Sequence, residues 1–369
     1  MKKHTALLLA ALLLAQTFCT SAAYAQAPAQ VYTIHDEATF KELTKEVRFM
    51  PPGKPELEFS IQAPKDWKME AAREGGGTDL GQRLLGDLLV FESPILGVHR
   101  MYLRVQVVGV DHEIDARSWL QNYLLTNGYA RDEEIPPSTS PYKASSYYTF
   151  VQDGQSTYAY IQVQFNGGTA LLIRFEMPLK MKEYAAYIQK QAVDSFRFSF
   201  EQKVPVEKST SFTVADAAKF NYPQSWQVAG SDFKNLDSLM LHLVNKSKQD
   251  TVQGYVGIMA MRRSSSLNFI GATQQLRSYF MDTMNLSFEK LELSEPYPSA
   301  ADRFIFKRHE IYTVQSRKEG QAPQELRLVA LGDQNWYVFV FLVTLKQEDF
   351  HYTWARNVRS FEVMLASLI

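Results

Sequence analysis

The residues best suited to chemistry are scattered through this chain. Six histidines follow the first 25 residues: His35, His99, His112, His242, His309 and His351. None belongs to a His-Glu-x-x-His type of metal signature, so no segment presents two imidazoles on one helical face. His242 and His309 lie in separate apolar runs that read as strands. The densest acidic stretch is Asp111-His112-Glu113-Ile114-Asp115. It could hold a cation or an acid/base pair. It could equally be a strand exit with Asp115 as N-cap and its charges meeting the positive end of a helix. The matching place later in the chain reads Arg262-Arg263-Ser264-Ser265-Ser266. That charge reversal favours a solvated loop.

Other reactive arrangements fall away on spacing. Glu74-Gly75-Gly76-Gly77-Thr78 lacks the Gly-Lys-Ser/Thr and following helix of a phosphate cradle, and no Gly-x-Ser-x-Gly elbow occurs. Cys19 is the single cysteine, and Gln16, Thr17 and Phe18 before it make a poor lipoprotein anchor. No catalytic, cofactor-binding or metal-binding residue is assigned on these grounds.

The N-terminus reads as an export signal. Lys2, Lys3 and His4 precede the Ala/Leu run Ala6 to Ala15, and Ala23-Tyr24-Ala25 offers a small-x-small cleavage site. Cleavage after Ala25 would leave 344 of the 369 residues, with no cysteine. The expected location is periplasmic or secreted, and no later run is long and apolar enough for a transmembrane segment. A composition of 46% hydrophobic and 13% aromatic residues suits a packed globular chain long enough for two cores. Removing Lys2 and Lys3 from 39 basic residues leaves 37 against 40 acidic ones, a balance of −3 with no basic footprint for nucleic acid.

The elements that must position any site are written twice. Ile61 to Trp67 and Phe220 to Trp226 both end in Pro-x-x-Trp, at an offset of 159. Leu120-x-x-Tyr123-Leu124 matches Leu276-x-x-Tyr279-Phe280 at 156. Gly167 to Phe198 runs without gaps against Gly332 to Val363 at 165, pairing Ser195-Phe196 with Ser360-Phe361. In the first copy, strands are predicted at Leu88–Phe91, Met101–Val110, Ser146–Gln152, Thr157–Phe165 and Ala170–Glu176. A helix over Asp115–Asn127 and another over Lys180–Val193 interrupt them, and Asn166-Gly167 is a hairpin signal. The second copy repeats the order, with Asn335–Thr344 so apolar that it reads as a mid-sheet strand covered on both faces. Hairpins interrupted by helices predict an α+β class with an antiparallel sheet in each unit. The expected division is a signal peptide over 1–25, an N-terminal arm over 26–54, a domain over 55–200, a linker over 201–210 and a second domain over 211–369. Phe40, Leu43 and Val47 could form one helical stripe in the arm, ended by Pro51-Pro52-Gly53.

Pro64, Trp67, Pro223 and Trp226, with the closing pairs Ser195-Phe196 and Ser360-Phe361 each read as a short strand, resemble the PsbP-like superfamily. That group includes the DcrB-like bacterial proteins and the Mog-type Ran-binding proteins. The resemblance covers about 59 to 200 and 215 to 365, and its markers are structural. It implies two tandem domains, each a central antiparallel sheet flanked by helices, and a non-catalytic interaction, assembly or chaperone-type role with a protein partner in the envelope. The alternatives are a small-molecule or lipid binder of the envelope and a hydrolase assembled from separated residues. Partner identity, binding surface and oligomeric state are left open.

Overall fold

The computed structural model describes residues 36–51, 54–73, 84–95, 99–152, 154–235, 237–298, 302–317 and 322–369. The signal segment, Cys19, His35 and the glycine-rich stretch Glu74 to Thr78 lie outside the described residues.

The first ordered element is α1 (Glu37–Leu43), whose N-cap Asp36 accepts a hydrogen bond from the Thr39 amide. The predicted stripe through Val47 is corrected here. The helix stops at Leu43, and Val47 lies on β1 (Thr44–Phe49), antiparallel to β2 (Phe59–Pro64). Thr44, Val47 and Phe49 suit a pleated strand, and β2 offers an open edge to pair with. The arm thus packs Val47 and Phe49 onto the same core as β2.

The chain continues through β3 (Lys68–Arg73), β4 (Leu84–Glu92), β5 (Tyr102–Gly109), α2 (Ala116–Thr126), β6 (Ala130–Arg131), β7 (Lys143–Gln152), β8 (Gln155–Asn166), β9 (Thr169–Pro178), α3 (Lys182–Asp194) and β10 (Arg197–Phe198). The predicted turn at Asn166-Gly167 is present, with Gly167 at φ +60°, a conformation glycine adopts without steric cost. The second half runs β11 (Ser209–Val214), β12 (Ala218–Pro223), β13 (Trp226–Asn235), β14 (Ser238–Lys246), β15 (Val252–Arg262), α4 (Phe269–Ser278), β16 (Leu286–Pro296), β17 (Phe306–Ser316), β18 (Gln324–Gly332), β19 (Trp336–Leu345) and α5 (Gln347–Ala366).

Two seven-stranded antiparallel sheets result, in the orders β3-β4-β5-β9-β8-β7-β6 and β13-β14-β15-β19-β18-β17-β16. The second order is the first with ten added to each label, so both halves trace the same path. The protein is α+β and has two domains. Each sheet is covered on both faces. In the first, Leu103, Val105, Ile173 and Phe175 pack towards α3 and β2, while Val108, Ile161, Val163 and Leu172 pack beneath α2. In the second, β19 is the central strand. Val338, Val340 and Leu342 face the α5 side and Phe339, Phe341 and Val343 face the α4 side, as the continuous apolar run predicted. Gly257 sits across from Phe341, and a Cβ there would lie 2.1 Å from the ring, so the glycine is needed for the close approach.

The repeat markers occupy comparable places only in part. Pro64 and Pro223 end β2 and β12, and Trp67 and Trp226 are both buried in their domain cores. Ser195 is the C-cap of α3, so the strand predicted at Ser195-Phe196 is corrected to Arg197–Phe198. The Ser195 hydroxyl accepts the Gln62 amide at 2.8 Å and donates to the Ala192 carbonyl at 2.6 Å. Ser360 does none of this, and the predicted closing strand at Ser360-Phe361 is corrected: both residues lie inside α5. The counterpart of Ser195 is Ser367, the C-cap of α5, which accepts the Asn221 amide at 2.8 Å. The cause is local sequence. Phe196, Phe198 and Phe200 alternate with polar residues, as a strand does, whereas Val358, Phe361, Met364, Leu365 and Leu368 keep helical spacing.

Candidate functional site

The side chains of greatest interest gather where the two domains meet. Helix α2 is started by Asp115, whose carboxylate accepts the Ser118 amide at 2.9 Å, as the N-cap reading predicted. Its buried face, Trp119, Leu120, Tyr123 and Leu124, belongs to the first domain's core. Ala355 of α5 is buried in that same core, with Tyr352 and Trp354 packed against it. Helix α5 therefore carries two apolar faces, one for its own sheet and one for the neighbouring domain.

Beside this contact the acidic stretch behaves differently from a solvated loop. Glu113 is 1% exposed. Its amide donates to Glu207 Oε1 at 2.8 Å, and the Glu207 amide donates to Glu113 Oε1 at 2.7 Å. Glu207 also accepts from the Ser225 amide at 2.8 Å and the Ser225 hydroxyl at 2.9 Å. One carboxylate thus ties the first domain to the turn that precedes Trp226. Burial pushes the Glu113 carboxyl up to about 7, opposed by the Glu207 backbone N–H. Burial pushes the neighbouring His112 imidazole below its ordinary value, and Arg356 adds to that. The solvated-loop expectation holds for Asp111, which is exposed, and fails at Glu113, because composition reveals charge and gives no sign of what folds over it.

A groove of about 410 Å³ opens along the same seam. One wall is Asp115, Arg117, Ser118, Gln121, Arg131, Glu134 and Ile135; the other is Arg327, Gln347, His351, Trp354, Ala355, Val358, Arg359 and Glu362. Arg327 lies 2.6 Å from Glu325, which also accepts the Trp354 indole N–H at 3.0 Å, and its guanidinium sits over the Trp354 ring. His351 also stacks on Trp354, with the two ring centroids 6.0 Å apart. Arg359 pairs with Glu362 at 3.1 Å, and Arg117 donates its Nε–H to the Ile135 carbonyl at 2.9 Å. Burial lowers the His351 pKa; Asp115 opposes this, while Arg117 and Arg131 reinforce it. The lining can hold a polar, charged ligand by hydrogen bonds and ion pairs.

None of the repeat markers Pro64, Trp67, Pro223, Trp226, Ser195, Phe196, Ser360 and Phe361 lines this groove. Trp67 and Phe196 belong to one core, and Trp226 and Phe361 to the other. His242 lies on β14 and His309 on β17, as expected, and among the described histidines only His351 reaches the groove. Sequence reading named His351 without giving it a site and missed Arg117, Arg131 and Trp354. The available signal was the His351–Trp354 spacing of three on a helix whose apolar residues exceed one stripe. Among the described residues, no helix is long and apolar enough to cross a membrane.

No family model and no curated protein matches the chain. Among solved structures it is similar to cyanobacterial PsbP (CyanoP) from Synechocystis sp. PCC 6803, at 13% identity and a TM-score of 0.30, over 42% of this chain and 92% of that one. It is similar to a protein of Bacteroides thetaiotaomicron at 14% identity and a TM-score of 0.27, over 48% of this chain and 53% of that one. A chain of the Tle4-Tli4 complex aligns over 84% of this chain and 94% of its own length, at 9% identity and a TM-score of 0.21.

Proposed function

We propose that the protein is a non-catalytic binding or assembly factor of the bacterial envelope, working in the periplasm after loss of residues 1–25. We further propose that its two domains descend from one duplicated unit, with 55–200 and 211–369 as the copies. The single observation that supports the binding role is the groove at the domain seam, about 410 Å³ in volume and walled by side chains of both domains. Ligands favour domain interfaces, where one occupant can touch two rigid bodies at once. A lipid would require an apolar lining, whereas these walls carry four arginines and three carboxylates. An extended polar segment of a protein partner fits them better.

The test is site-specific photo-cross-linking in the native host. A cross-linking amino acid at position Gln121, inside the groove, is expected to capture one reproducible protein adduct. A matched probe at exposed Val151, on the end of β7, should not. An absence of adducts from the groove, under conditions where the protein is exported and folded, would overturn the proposal.

A further inference from the structure

We infer that this groove is a seat for a carboxylate carried by an acidic segment of the partner, gripped by Arg117 and Arg131 beside His351. The inference rests on the groove being the partner-binding site. Of the four arginines on the walls, Arg327 is held by Glu325 and Arg359 by Glu362. Arg117 and Arg131 have no carboxylate within ion-pair distance among the described residues. The Arg117 Nε–H bond to the Ile135 carbonyl fixes the plane of its guanidinium. Asp115, an acid on the same wall, is committed to capping α2 through the Ser118 amide.

His351 supplies an independent pointer. Its Nδ1 faces the Gln347 amide nitrogen at 3.5 Å, so an amide N–H donated there makes Nε2 the protonated nitrogen. Nε2 is buried and has no partner. A buried N–H without an acceptor is costly, and a rotation of the imidazole towards the groove it lines would let an incoming carboxylate oxygen satisfy it. Arg117 and Arg131 line the same groove as this imidazole, and their charges act on it. A carboxylate suits the seat better than a phosphate, since Asp115 and Glu134 on the same wall would repel a dianion more strongly.

The experiment titrates the full-length mature chain with three probes and follows the His351 imidazole by NMR. The probes are a Glu-Gly repeat heptapeptide, its Gln-Gly counterpart and glutarate. The Glu peptide is expected to shift the His351 resonances and raise the imidazole pKa. The double variant Arg117→Gln/Arg131→Gln should weaken that peptide about tenfold or more without lowering the melting temperature. Equal binding of the Gln peptide, or unchanged binding by the double variant, would overturn the seat. Glutarate binding as tightly as the Glu peptide would assign the seat to free small carboxylates and overturn the partner segment. The cross-link from position Gln121 separates the two readings. An adduct that persists in the double variant keeps the partner and removes the carboxylate seat. An adduct absent from the parent protein removes the partner reading whatever the peptides do.

Discussion

Arg174 and Glu176 sit on β9 with side chains 11% and 9% exposed, 3.5 Å apart. Arg104 on β5 reaches both Glu176 and Asp87 at 3.3 Å, and Arg174 Nη1 donates to the Tyr123 hydroxyl at 3.4 Å. At the offset of 165 the corresponding residues of the second domain are Phe339 and Phe341, both fully buried. Opposite Arg174 stands Arg104, and opposite Phe339 stands Met259. One domain thus places ions where the other places a hydrophobic core. A buried ion pair adds little to stability against apolar side chains of the same volume, but removing one partner leaves a charge stranded. Glu176→Gln should therefore lower unfolding stability by about 3 kcal/mol in urea titrations, since it strands Arg174 and leaves Arg104 with Asp87 alone. Glu37→Gln, at the exposed pair with Lys41, should leave the curve unchanged. The sequence marked Ala170–Glu176 as a strand, and its alternation already separated Leu171, Ile173 and Phe175 from Arg174. Whether Arg174 faced water or protein depended on what lay above that face.

Helix length is decided at the next scale up. Ser195 and Ser367 perform the same task from positions 172 apart, while the sequence repeat is spaced by 165. Helix α5 runs two turns further before its C-cap serine meets the Asn221 amide. Ser367→Ala removes that acceptor and should cost about 1–2 kcal/mol, with faster hydrogen exchange at the Asn221 amide. Ser360→Ala should leave exchange at Asn221 unaltered. Slowed exchange in neither parent nor variant would show the bond to be absent in solution. Matching letters identified the right helix in each half, because amphipathic spacing is a local property. They could not locate its end. That depends on whether the next residues alternate in period two, as Phe196 to Phe200 do, or continue a helical stripe onto a waiting core.

For the whole molecule, the seam between the domains is also a proton-binding site. Glu113 has a folded pKa of about 7 against an ordinary value of 4.5. The folded state therefore holds more protons between these values, and stability falls as pH rises from 4.5 to about 7. Glu113→Gln keeps an oxygen for the Glu207 amide and should remove about 2 kcal/mol of that fall, read from urea midpoints at several pH values. His112 works with the opposite sign, since its lowered pKa makes stability fall as pH drops below 6.5, and it is common to both proteins. A parent and variant with parallel profiles would show that Glu113 is not the group responsible. What the sequence determined by itself was local or repetitive: helices from spacing, hairpins from Asn-Gly turns, a mid-sheet strand from an unbroken apolar run, and two domains from a repeated order. Only the tertiary structure decided that Glu113 is buried, that α5 serves two cores, and that Arg117, Arg131 and His351 share one groove. Those facts join residues from 94 to more than 200 positions apart. Periodicity reports which face of an element is apolar, whereas burial and ion pairing depend on which distant surface closes over it.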